Sequence, residues 1–118
     1  MQGQFEPVLA PDVVIHDKAQ ETVVRGQAAA AEFLSAFFRG GFPGAEVTAR
    51  VAQTGADCLV LALTLNGFQN GRFMGIPPTG RAVQLDMTLT CRLRQGQIYH
   101  ITLNYDAAAL LRQLGLAL

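Results

Sequence analysis

The residue with the most evident chemical potential is Asp106. It closes a run of β-forming residues, Gln97 to Tyr105, and is followed at once by the helix formers Ala107-Ala108-Ala109. A carboxylate at such a junction has two uses. It can accept hydrogen bonds from the first free N–H groups of the helix and so cap it. Facing an apolar cavity instead, its pKa is raised by desolvation and it can exchange a proton near neutrality. Asn104, Thr102 and His100 precede it at alternate positions, and His16 is the second of two histidines. Each histidine is a candidate pocket residue, although a lone histidine is more often an ordinary satisfied or exposed one. Cys58 and Cys91 are far apart, each in a β-like run, without a neighbouring His or Cys at metal-ligand spacing. They read as buried free thiols, and no metal is expected. The chain has no Gly-rich phosphate loop, nucleophile elbow or His/carboxylate cluster, which removes those enzyme classes.

Holding these groups requires a small set of elements. Phe5 to Leu9 reads as the end of a helix, and Val13-Val14-Ile15-His16 as a brief strand that Asp17 and Lys18 terminate. From Gly26 through Phe38, Ala30, Phe33, Leu34, Phe37 and Phe38 recur at helical spacing, and Gly40, Gly41, Pro43 and Gly44 stop the run. Strands are expected over 46–53, 58–66, 82–94 and 97–105, with a structured Gly/Pro-rich loop over 67–81 and a last helix from Ala107 to Leu114 closed by Gly115. Phe33, Phe37 and Phe73 belong to the core and can double as the apolar wall of a pocket.

If Gln95-Gly96 is a two-residue hairpin turn, the facing pairs follow. One face then carries Cys91 with His100, Leu89 with Thr102, Met87 with Asn104 and Leu85 with Asp106. That is a polar column beside an apolar wall, as in a small-molecule pocket. The other face carries Tyr99, Ile101, Leu103 and Tyr105, an exposed apolar strip that predicts a homodimer. The arrangement depends on register, since a one-residue bulge near the turn reverses the column.

The 118 residues suit one domain, half of them hydrophobic and 15% charged, with nine basic and nine acidic residues in balance. No basic stripe points to nucleic acid. The longest apolar stretch, Cys58 to Leu65, is too short to span a membrane, and the N-terminus lacks the features of a signal peptide. A cytoplasmic protein is expected.

The string Phe73-Met74-Gly75-Ile76-Pro77-Pro78-Thr79-Gly80-Arg81 resembles the SnoaL-like polyketide cyclase family, within the nuclear transport factor 2-like, cystatin-like superfamily. So do Arg92 to Ile98, Asn104-Tyr105-Asp106 and Leu110 to Leu116. The resemblance implies one SnoaL-like domain over 1–118. Its class is α+β, with a strongly curved mixed or antiparallel sheet wrapped on helices as a cone. It also implies cofactor-independent chemistry, an intramolecular aldol closure with Asp106 as general acid/base, on a small, largely apolar carbonyl compound. His16, Phe33, Phe37, Phe73, Met87, Leu89, His100, Thr102 and Asn104 would line the pocket. Two departures stand out: the family's first helix is shortened here, and Thr102 stands near the place of a usual aromatic, commonly Trp. Alternatives are a non-catalytic ligand-binding or dimeric interaction domain, and an isomerase or epoxide hydrolase-type enzyme.

Overall fold

The computed structural model describes residues 8–116. Six strands form one sheet in the order β2-β1-β6-β5-β4-β3. They are β1 (Leu9–Asp17), β2 (Thr22–Arg25), β3 (Glu46–Thr54), β4 (Cys58–Phe68), β5 (Ala82–Arg94) and β6 (Gln97–Tyr105), with helices α1 (Gln27–Ser35) and α2 (Ala107–Gln113). Only β1 and β6 run parallel; the other neighbours are antiparallel. The α+β class and the curved mixed sheet are as expected. Register irregularities in β1, β3 and β6 bend the sheet, which stays open, with β2 and β3 as its edges.

β1 is longer than the expected Val13–His16 strand. Leu9 belongs to it rather than to a helix; Val8 stands in a 3₁₀ conformation just before it, and residues 5–7 of the expected helical turn lie outside the described residues. Pro11 is tolerated because no ladder pair is formed between Leu9 and Val14. Val13, Ile15 and Asp17 alternate inward and are fully buried. Asp17 therefore belongs to the strand rather than terminating it. The short return strand β2 was not anticipated. α1 opens as expected but ends at Ser35, and Ala36–Gly40 continues as a π-helical turn, with Gly41 N–H donating to Ala36 O. The wider turn presents the consecutive rings of Phe37 and Phe38 to different parts of the interior.

The β5–β6 hairpin corrects the expected faces. Arg94 pairs with Gln97 and Leu93 with Ile98, as written from the turn, but the next pair is Arg92 with His100. Tyr99 is the additional residue. Every later pair is displaced: Cys91 faces Ile101, Thr90 faces Thr102, Leu89 faces Leu103, Thr88 faces Asn104 and Met87 faces Tyr105. Since side chains alternate with period two, the slip exchanges the faces. Ile101 and Leu103 are buried in the core, whereas His100 and Thr102 are half-buried and Asn104 exposed on the outer face. The polar column does not stand beside Met87, Leu89 and Cys91. Ile101 and Leu103, the aliphatic half of the strip expected to dimerise, are buried in the core, so that strip is not exposed as drawn.

The 67–81 loop is packed, not loose. Gln69, fully buried, donates from Nε2 to the carbonyls of Gly71, Ile76 and Pro77, and its Oε1 accepts from Thr79 N–H. Gly71 N–H donates to Gly41 O, and a Cβ on Gly71 would collide with the Gly40 carbonyl. Gly71→Ala should therefore lower stability by about 1–3 kcal/mol, read as a fall in the urea midpoint at constant slope; an unchanged midpoint would contradict this packing.

Candidate functional site

A cavity of about 460 Å³ lies between the concave face of the sheet and the helical layer. Leu61, Leu63, Leu89, Cys91 and Ile101 supply the sheet wall, and Leu34, Phe38 and Arg39 come from α1 and the π-helical turn. Its described lining is apolar except for the Arg39 guanidinium and the Cys91 thiol. These side chains face inward because β4, β5 and β6 pair leucine with leucine and Cys91 with Ile101 across the ladders. Burial, and secondarily the neighbouring Cys58, pushes the Cys91 thiol from 9.0 up to about 11. Cys91 is thus held as a neutral, poorly nucleophilic thiol.

A second, smaller cavity of about 200 Å³ lies on the other side of the π-helical turn, lined by Gln20, Phe33, Ala36, Phe37, Arg72, Phe73 and Met74. Phe37 meets Phe73 edge-on at 5.0 Å between centroids and Tyr105 at 5.3 Å. Beside it is the one buried carboxylate among the described residues. Asp17 Oδ2 accepts from Gln20 Nε2 (2.7 Å) and from the Tyr105 hydroxyl (3.0 Å), and Asp17 Oδ1 accepts from Gln20 N–H (3.0 Å). Gln20 Nε2 also donates to the Tyr105 oxygen at 2.8 Å. Burial above all raises the Tyr105 phenol far above its ordinary range; the Gln20 hydrogen bond opposes this, and the Asp17 carboxylate adds to it.

The sequence-derived site residues are dispersed among these features. Leu89 lines the larger cavity, and Phe33, Phe37 and Phe73 line the smaller one. Met87 is core, at 3% exposure. His16 pairs with Thr102 and Val23, and His100 with Val14 and Arg92, so both histidines lie on the outer sheet face with Thr102. Asn104 and the edge of Met87 line a third recess, of about 730 Å³, with Thr48, Arg50, Thr64, Asp86, Thr88 and Tyr105. Asp106 is exposed and caps α2: its Oδ1 accepts from Ala109 N–H at 3.0 Å. It does not line either cavity.

Three members of the polar cluster escaped the sequence reading. Asp17 was legible in principle, because it continues the alternation Val13, Ile15 that points inward. Tyr105 required the bulge, and Gln20 required the β1–β2 turn. Among the described residues no group of three His, Cys, Asp or Glu stands together as a metal site, and no helix is long and apolar enough to cross a membrane.

A family model described as SnoaL-like polyketide cyclase matches residues 3–114. A protein from Jannaschia sp. CCS1 assigned to the SnoaL-like polyketide cyclases superposes with a TM-score of 0.86 at 25% identity, over 96% of this chain and 77% of that one. IdmH from Streptomyces antibioticus, assigned as a polyketide cyclase, is 30% identical over 94% of this chain and 84% of its own, with a TM-score of 0.69. A Catenulispora acidiphila protein with a ketosteroid isomerase-like fold shares the architecture (TM-score 0.74, 18% identity, 98% of this chain and 82% of that one). No curated protein matches the sequence.

Two outcomes are expected from this geometry. Asp106→Ala should cost about 1 kcal/mol of stability while Asp106→Asn costs little, because Asn caps as well as Asp does; equal losses in thermal unfolding would deny the capping role. The neutral Cys91 thiol favours the folded state fully below pH 9, a contribution lost as pH rises from 9 through about 11. At pH 9 its thiolate fraction, and so its alkylation by iodoacetamide, should be about fifty-fold lower folded than in urea. Equal rates would show that the thiol is not buried as described.

Proposed function

This chain belongs to the SnoaL-like polyketide cyclase family, and we propose that it is a small-molecule-binding member, taking one compact, largely apolar molecule in its concave cavity. The observation that carries the reading is the lining. Leucine, isoleucine and phenylalanine line a recess of about 460 Å³, within the range of small-molecule sites, and Arg39 and Cys91 are the polar exceptions. Such a cavity binds by removing apolar surface from water and orients its ligand through few polar contacts. The side chains are already in place, so little ordering accompanies entry.

The cyclase reading makes the same cavity the place where a small carbonyl compound folds for aldol closure, with Asp106 moving the proton. Family membership supports it. Against it stand the position of Asp106 on the surface, its use as a cap, and a described cavity lining without a carboxylate or imidazole. Isomerisation or epoxide opening would likewise need polar groups converging on the ligand. Ligand binding without proton transfer needs none of these. Self-association forms no part of this reading, since Ile101 and Leu103 are spent in the core.

The test uses N-phenyl-1-naphthylamine as a compact apolar fluorescent probe. Wild type should bind it saturably, one per chain, and the bound probe should slow Cys91 alkylation. Leu61→Trp fills the cavity from a half-buried position and should weaken binding at least about tenfold while the protein remains folded. Asp106→Asn should leave affinity unchanged. Probe binding that is indifferent to Leu61→Trp would sink the proposal; loss of carbonyl-substrate turnover in Asp106→Asn, with binding intact, would establish the cyclase reading instead.

A further inference from the structure

We propose that the smaller cavity is a second, independent ligand site, built for a single-ring aromatic compound that carries a hydroxyl donor and an anionic group. It shares no lining residue with the larger cavity. Three phenylalanines, Phe33, Phe37 and Phe73, line it, tilted to one another by 43° and 86°. Its volume of about 200 Å³ suits one ring with small substituents.

The polar end is set by the buried cluster behind it. Gln20 cannot turn its amide around, because that would place Oε1 rather than Nε2 against the Asp17 carboxylate, which only accepts. Nε2 is then committed to Asp17 Oδ2 and to the Tyr105 oxygen. Tyr105 in turn donates to Asp17 and stays protonated. Among the described residues Oε1 is the Gln20 side-chain atom without a partner, so what this residue offers a ligand is an acceptor. The cavity therefore selects a guest that donates, a phenolic hydroxyl rather than a ketone or ether. Arg72, which is exposed, gives one Nη1 hydrogen bond to Gly75 O and keeps further guanidinium donors for a carboxylate at the rim. Asp17 and Tyr105 are positioning residues: they do not line the cavity, and they act by fixing the amide.

Titration with 4-hydroxybenzoate, followed by amide shifts in a ¹⁵N-labelled sample and by calorimetry, tests this directly. It should bind with perturbations centred on Gln20, Phe33 and Phe73. Benzoate and 4-methoxybenzoate, which lack the donor, should bind about tenfold more weakly or worse. Arg72→Gln should weaken binding several-fold and reduce its salt dependence. Ala36→Leu, at an exposed position on the cavity wall, should abolish binding without unfolding the protein. Leu61→Trp should leave 4-hydroxybenzoate affinity unchanged, which separates this site from the larger cavity whether or not that cavity binds its probe. The proposal is overturned if 4-hydroxybenzoate does not bind, if benzoate binds equally well, or if Ala36→Leu has no effect.

Discussion

The pairing of β5 with β6, and the one additional residue that Tyr99 inserts into it, is the constraint on which the interior depends. A strand has two faces and a period of two, so one surplus residue reassigns every side chain beyond it. Because of Tyr99, Ile101 and Leu103 join Leu89 and Cys91 on the concave side, and Tyr105 arrives beside Asp17 and Phe37. Without it, His100, Thr102 and Asn104 would line that side, and the cavity would be wet and titratable. The bulge also bends β6, and bending gives the sheet a concave face to enclose. Tyr99 itself remains outside, with the Arg94 guanidinium 4.8 Å from its ring centre.

The helical layer has a comparable device. A regular α-helix through Phe38 would advance its aromatic rings at about 100° per residue. The π-helical turn at Ala36–Gly40 changes that spacing and divides two neighbouring rings between two cavities, Phe37 to the smaller and Phe38 to the larger. The turn is held from outside by the 67–81 loop, through Gly71 against Gly40 and Gly41 and through Phe73 against Phe37 and Phe42. Gln69 is buried under that loop with all its hydrogen bonds made to backbone. The Gly/Pro-rich string that resembles the family is therefore a brace for the aromatic cluster. That structural duty explains the residue types there without invoking catalysis.

Two carboxylates illustrate how differently a sequence can be read. Asp106 stands where a helix begins, a position that local chain chemistry alone can satisfy: one oxygen, one N–H three residues on, and exposure to water. Asp17 is the more unusual of the two. It is fully buried, and burying a carboxylate is costly unless donors converge on it. Three do, two from Gln20 in the adjacent turn and one from Tyr105, 88 residues away. The cluster is thus a joint between β1, the β1–β2 turn and the end of β6, and it holds Gln20 in a single orientation at the mouth of the aromatic cavity.

The sequence by itself determined the elements from Glu46 onward, the first helix as far as Ser35, the helix start after Asp106 and the family. Hydrophobic period, turn residues and capping chemistry are local, and a local signal survives without the rest of the chain. Only the tertiary structure decided which face of β6 is inside, that Asp17 is buried, and that Phe33, Phe37 and Phe73 gather around Gln20. A bulge leaves composition and spacing untouched while reversing the faces, and the partners of a buried carboxylate come from strands that are neighbours in the sheet and distant along the chain.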